Sequence, residues 1–262
     1  MTVWQAALLG VVQGVTEFLP VSSSGHLALA QRLLPGFQQP GLVFDVALHL
    51  GTVASVLALE WRRLADAVRE GRTFLLGAQL ALATAVTAVV ALPLRHTAEA
   101  AFAEPLAVAA GFAATGIVLL LAGAHGGTSG PGSTRWGTVA AVGLAQGFAV
   151  MPGLSRSGST IATGLAVGLE RRWAVDFSFL MSVPAVLGAA VVEGWSYRHE
   201  ISGQAAALAV PSLVGAVVAG VVGAAAITGV RRIVHRGGLH FFAYYVLALA
   251  ALTVGLRLAG RL

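Results

Sequence analysis

The sequence predicts an all-α integral membrane protein: six transmembrane helices and two re-entrant helical hairpins in an inverted-topology repeat. Three observations lead there. Of 262 residues, 57% are hydrophobic and only 10% charged, whereas a soluble chain carries about 25% charged residues. Mean hydropathy is +0.83, and the length suits six to eight spans of roughly 20 residues. Two polar interruptions, Ser22-Ser23-Ser24-Gly25 and Ser155-Arg156-Ser157-Gly158, lie 133 residues apart, close to half the chain.

Taken in order, residues 1–19 are apolar and end at Pro20, and residues 24–34 suit a second short helix. Neither piece spans a bilayer alone, so together they predict a re-entrant hairpin. Pro35-Gly36 and Pro40-Gly41 mark a loop. Residues 42–59 read as a span carrying Asp45 and His49, and residues 60–72, with four Arg, as a charged loop. Uncharged spans follow at 74–94 and 105–124. The Gly- and Ser-rich stretch 125–135 reads as a flexible linker. It joins repeats 1–125 and 136–262 within one membrane domain.

Beyond the linker the pattern restarts. Gly143-Leu144-Ala145-Gln146-Gly147 answers Gly10-Val11-Val12-Gln13-Gly14, and Phe177 answers Phe44. Spans at 173–192, 205–230 and 239–256 match the three of the first half. Three crossings per half, an odd number, invert the second half relative to the first. The spacings Gly10/Gly14, Gly143/Gly147 and Gly215/Ala219/Gly223 place small residues where helices can approach closely.

The charges set an orientation. With the N-terminus outside, the inner loops hold Arg62, Arg63, Arg69, Arg72, Arg135, Arg171, Arg172, Arg231, Arg232 and Arg236. The outer segments hold Arg32, Arg95, Arg198, Arg257 and Arg261, a bias that follows the positive-inside rule. Dispersed between apolar spans, these arginines point to topology and lipid headgroups rather than to nucleic acid. The start Met1-Thr2-Val3-Trp4 lacks a basic n-region, so no cleaved signal peptide is expected. There is no Cys, which excludes disulfides and thiol chemistry, and no Lys, which excludes a Walker A loop.

Three side chains stand out chemically. Glu17 is a carboxylate in an apolar setting, where an unpaired charge is costly. Gln13 lies one helical turn before it on the same face. His26 closes the serine cluster and suits proton transfer or attack on phosphorus. Arg156, between Ser155 and Ser157, offers a fixed fork of donors at a helix start, the equipment of a phosphate clamp. Ser22 to Gly25 likewise have the small polar character of a helix N-terminus, a ready anion site. Asp45, His49 and Asp176 sit near span ends, where solvation is the default expectation.

Residues 9–26, Leu9 to His26, and residues 152–160, Pro152 to Thr160, resemble the two motifs of the bacterial undecaprenyl-diphosphate phosphatases, also called bacitracin resistance proteins. Phe44-Asp45 with Leu50-Gly51-Thr52, and Phe177-Ser178-Phe179-Leu180 with Pro184, extend the resemblance across both halves. It implies hydrolysis of undecaprenyl diphosphate to the monophosphate, recycling the lipid carrier of cell-wall precursors. The location implied is the bacterial plasma (inner) membrane, and the orientation set by the charge bias puts the active site toward the periplasm or exterior. By resemblance, Glu17, Ser23, His26 and Arg156 stand at the reaction centre. Gln13, Ser22, Ser24, Ser155, Ser157 and Thr160 would hold the diphosphate.

The resemblance also implies a divalent cation, Mg²⁺ or Ca²⁺, with Glu17 as its protein partner. Gln13 stands where many members have Glu, and an amide brings an oxygen but no charge. The partners expected are a long-chain polyprenyl diphosphate and the bilayer, with a homodimer left open. The nucleophile is Ser23, His26 or water. A lipid flippase or transporter is the alternative, because inverted repeats with broken helices are its usual architecture. The type-2 phosphatidic acid phosphatases are excluded: they need an upstream Lys, absent here, and a His where Ala162 stands.

Overall fold

The structure, a computed structural model, describes residues 1–37, 42–123, 125–196 and 198–262, without the side chains of 42 and 198–207. The Pro40-Gly41 loop marker and the side chains of Arg198 and His199 therefore lie outside the described residues. Ten helices are described. α1 (Val3–Phe18) and α2 (Ser23–Leu33) form the first hairpin; α6 (Trp136–Phe148) and α7 (Arg156–Ala166) form the second. The six long apolar helices are α3 (Leu42–Arg69), α4 (Thr73–Phe102), α5 (Pro105–Ala122), α8 (Arg171–Ser196), α9 (Arg198–His235) and α10 (Leu239–Leu258). Three lie in each half, as the sequence pattern predicts.

Each hairpin begins its second helix in the same way. The Ser22 hydroxyl accepts the Gly25 N–H at 3.4 Å, and the Ser155 hydroxyl accepts the Gly158 N–H at 3.0 Å. These caps satisfy orphan donors where each helix restarts inside the protein. The hairpins enter from opposite ends of α4. In the first, the Arg32 guanidinium donates to the Phe102 and Ala103 carbonyls at the C-terminus of α4. Ahead of the second, the Thr134 carbonyl accepts from Gln79, near the α4 N-terminus. That arrangement is what inversion of one half relative to the other produces.

The halves are interlocked by their first helices. α1 packs on α9, where a methyl on Gly14 would stand 2.7 Å from the Ala219 carbonyl oxygen and 2.9 Å from Val222 Cβ. α6 packs in the corresponding way on α4, where a methyl on Gly143 would stand 2.7 Å from the Ala83 carbonyl oxygen. Gly14→Ala is therefore expected to destabilise the fold by about 1–3 kcal/mol, the cost of overpacking. Gly77→Ala in α4, with open space around it, is expected to change little. Thermal unfolding of the two purified variants in detergent compares them.

Three expectations are corrected. Residues 60–69 continue α3 instead of forming a charged loop. The reason is that their charges find partners inside the protein. Glu60 pairs with Arg63 and Arg231, and the same two arginines hold Asp176. Asp176 is thus not solvated but 1% exposed, in an ion cluster that ties α3, α8 and α9 together. Removal of one partner from such a cluster strands a buried charge, so the four residues act as a unit. The linker, finally, is held against the protein. Gly127 and Ser129 donate to the Leu169 and Gly168 carbonyls, and Glu170 N–H donates back to Ser129.

Most of the inner-loop arginines of the charge pattern gather at this one end. Arg62, Arg63, Arg72 and Arg231 line one hollow, and Arg171 and Arg172 line another.

Candidate active site

The two breaks in the hairpins meet. Gly25 at the start of α2 lies so close to Gly153 and Phe112 that a methyl would stand 3.0 Å from Gly153 Cα and 2.6 Å from the Phe112 ring. Thr115 of α5 fastens the second break from below, donating to the Gly153 carbonyl at 3.0 Å and accepting from Ser155 N–H at 2.9 Å. The Ser157 hydroxyl then donates to the Leu19 carbonyl at 2.9 Å, joining the second break to the first. Residues far apart in the chain are thereby held at one point.

Glu17 is the centre of this junction. Arg156 donates to its Oε1 at 2.7 Å, Ser23 Oγ donates to its Oε2 at 2.6 Å, and Gln13 Nε2 donates to Oε2 at 3.0 Å. His49 Nδ1 stands 3.6 Å from the same oxygen and 2.9 Å from Gln13 Nε2. The amide of Gln13 must present its NH₂ here, because its oxygen would repel the carboxylate. Its Oε1 is consequently buried without a partner. A carboxylate with an Arg and two further donors is the paired state that an apolar interior demands. Arg156 also donates to the Ser178 carbonyl at 3.3 Å, which fixes the fork at the start of α7.

A cavity of about 280 Å³ opens over this group. Glu17, Ser22, Ser23, Ser24, His49 and Arg156 supply its polar end. Alanines and valines of α4, α8 and the second hairpin, among them Ala91, Ala149, Val150, Ala185 and Ala189, supply most of the rest, with Thr87, Gln146 and Glu193 beside them. It adjoins a wider cavity of about 730 Å³, the two sharing Ser24, Val46, His49 and Glu193. An ionic end against an apolar wall is the shape of a site for a phosphate ester of a hydrocarbon alcohol.

Comparison with known proteins decides the family. A family model described as bacitracin resistance protein BacA matches residues 6–252. The chain belongs to that family. Among curated relatives, an undecaprenyl-diphosphatase of Carboxydothermus hydrogenoformans is 37% identical, with all of both chains covered. Proteins of the same name from Syntrophotalea carbinolica and Rubrobacter xylanophilus are 40% and 41% identical, the matches covering 94% and 97% of this chain and 95% and 98% of theirs.

Not every candidate residue of the BacA motifs reaches the cavity. Glu17, Ser22, Ser23, Ser24 and Arg156 line it. Gln13 lies behind Glu17, fully buried. Ser155 is spent as the cap of α7, Ser157 on Leu19, and Thr160 on the Arg156 carbonyl and the Ser178 hydroxyl. All three are 1% exposed and brace the second break instead of facing the cavity. His26 turns outward, its ring between Phe112 and Tyr245. Conversely, His49, Thr87, Gln146 and Glu193 line the cavity although the motifs do not point to them. Gln146 carries a signal, since it is the repeat image of Gln13. It donates to Thr87 Oγ1 at 3.1 Å across the α6–α4 contact.

Proposed function

We propose that this chain hydrolyses undecaprenyl diphosphate to undecaprenyl phosphate and inorganic phosphate, with Ser23 as nucleophile and Glu17 as its base. One observation carries the assignment of roles: the Ser23 hydroxyl donates to Glu17, while Arg156 holds the other oxygen of that carboxylate. The family and the names of its relatives support the reaction, and favour it over the transporter alternative.

In this mechanism the prenyl chain lies along the alanine-lined wall and the diphosphate meets Ser22, Ser24 and Arg156. Ser23 Oγ attacks the terminal phosphorus as its proton passes to Glu17. The bond from that phosphorus to the bridging oxygen breaks, and undecaprenyl phosphate leaves. Water then attacks that phosphorus, the bond from phosphorus to Ser23 Oγ breaks as Glu17 returns its proton to Oγ, and phosphate leaves with the protons of the water. A guanidinium has five N–H donors, so its bonds to Glu17 and Ser178 do not exhaust it. It stabilises the charge spread over the transferring phosphoryl oxygens.

A hard divalent cation fits beside this centre. The oxygens available at the cavity are those of the Glu17 carboxylate, since Gln13 turns its NH₂ toward Glu17 and does not line the cavity. Among the described residues no three His, Asp or Glu side chains form a cluster that could hold a metal unaided. Glu17 would hold the ion together with diphosphate oxygens. When bound it supplies charge neutralisation. By the positive-inside rule the arginine-rich end faces the cytoplasm of a bacterial plasma membrane. The opposite end, with the wider cavity, then faces the periplasm or exterior.

The test is phosphate release from undecaprenyl diphosphate by the purified protein in detergent, where no second compartment exists. Release at rates of about 1–100 per second supports the proposal, and none refutes it. A chelator is expected to lower the rate at least tenfold, and Mg²⁺ or Ca²⁺ to restore it. An unchanged rate in chelator removes the cation from the mechanism.

A further inference from the structure

The residue before the nucleophile is held in an unfavourable conformation. Ser22 has φ 70° and ψ 96°, and it is the only non-glycine residue with positive φ among the described residues. Such a backbone persists only where surrounding contacts enforce it. The enforcing contacts converge on the Ser22 carbonyl. It accepts the His26 backbone N–H at 3.2 Å and stands 2.7 Å from His26 Nδ1.

A carbonyl can only accept, so Nδ1 carries the proton, and in a neutral ring Nε2 is then the acceptor. Its partner is the Tyr245 hydroxyl of α10 at 2.8 Å. Both ring nitrogens are thus engaged. The ring is also gripped on two sides, edge-on to Phe112 with centroids 5.3 Å apart and nearly parallel to Tyr245 at 5.7 Å. His26 does not line the cavity where Ser23, Glu17 and Arg156 meet.

We propose that Tyr245 is a positioning residue for the reaction: through His26 it holds the strained turn at Ser22 and thereby aims Ser23 Oγ at phosphorus. The proposal rests on the Ser23–Glu17 reading given above. Tyr245 touches neither the nucleophile nor the cavity; it acts through a relay of two hydrogen bonds. It also belongs to the second half of the chain, so the aim of a first-half nucleophile is set from the other repeat. Arg156 and Ser24 still hold the diphosphate when the turn at Ser22 loosens, so turnover falls more than binding does.

The experiment uses the full-length protein in detergent, with undecaprenyl diphosphate as substrate and kcat, KM, pH profile and thermal unfolding as readouts. Tyr245→Phe is expected to lower kcat about five- to tenfold, the effect of one hydrogen bond, with a smaller change in KM and the pH profile unchanged. His26→Ala is expected to lower kcat about 100-fold, as misplacement of a reacting group does. His26→Asn, whose side-chain N–H can reach the same carbonyl, is expected to recover at least about tenfold of that loss.

Wild-type kcat in Tyr245→Phe, or a change in KM alone, overturns the proposal. So does His26→Asn as inactive as His26→Ala, since the imidazole would then move protons itself. Should His26→Ala fail to fold, the other two variants still decide. Ser23→Ala separates the two layers: full turnover there overturns the underlying reading, whereas its loss together with an inactive His26→Asn overturns the positioning role alone.

Discussion

Arg156→Ala is expected to lower kcat for phosphate release by at least about 1000-fold, the scale on which a phosphoryl-stabilising arginine acts. The same substitution is expected to destabilise the protein by about 3–5 kcal/mol. The two losses share a cause. Among the described residues Arg156 is the only cation within hydrogen-bonding distance of Glu17 Oε1, at 2.7 Å, and Glu17 is only 7% exposed. Without the guanidinium, a carboxylate is left in an apolar interior with only Ser23 and Gln13 donating to it. Arg156→Lys keeps a charge but not the fork that holds Glu17 and the Ser178 carbonyl together. It is expected to recover stability better than rate, because geometry matters more to the transition state than to charge balance. Steady-state kinetics and thermal unfolding on the same preparations measure both. An Arg156→Ala protein within tenfold of wild-type kcat would show that the guanidinium serves only to neutralise Glu17.

Ser23→Ala is expected to remove turnover on a similar scale while leaving the protein nearly as stable as before. Its hydroxyl is one of three donors to Glu17, so its loss costs about 1 kcal/mol. The rate falls because, among the described residues, no other hydroxyl is hydrogen-bonded to that carboxylate. Rapid quenching of wild-type protein with labelled substrate is expected to trap phosphate on Ser23, and Ser23→Ala to trap none. Turnover in Ser23→Ala near the wild-type rate, with no adduct in either protein, would mean that water attacks phosphorus directly. The contrast with Arg156→Ala is informative in itself: one variant loses rate and stability together, the other rate alone.

Much of this site is legible in the order of the amino acids. Pro20 and the Pro152-Gly153 pair announce interruptions, the serines announce restarts, and the repetition of Gly10/Gly14 as Gly143/Gly147 announces that both hairpins pack alike. Direction is what stays hidden. His26 follows Ser23 by one helical turn, and nothing local tells which way it faces; Tyr245, in the last helix, draws it outward. His49 and Glu193 sit near the ends of spans, where solvent is the natural expectation, yet the meeting of α3, α8 and the first hairpin makes them cavity wall. Asp176 misleads for the same reason. Its partners Arg63 and Arg231 come from helices on either side of it in the chain, and only packing brings them near. Ser155, Ser157 and Thr160 show the converse, since hydroxyls beside an arginine at a helix start have the look of phosphate ligands and serve as braces.

The docking of α1 on α9 also governs how the protein comes into being. The ribosome delivers Gly14 first and Ala219, against which it rests, roughly 200 residues later. Until then the loop that bears Ser23 lacks its support, and Tyr245 has yet to be made. A nascent or prematurely terminated chain therefore has no assembled pocket for a charged headgroup. Activity thus appears only after both hairpins and α9 have been made.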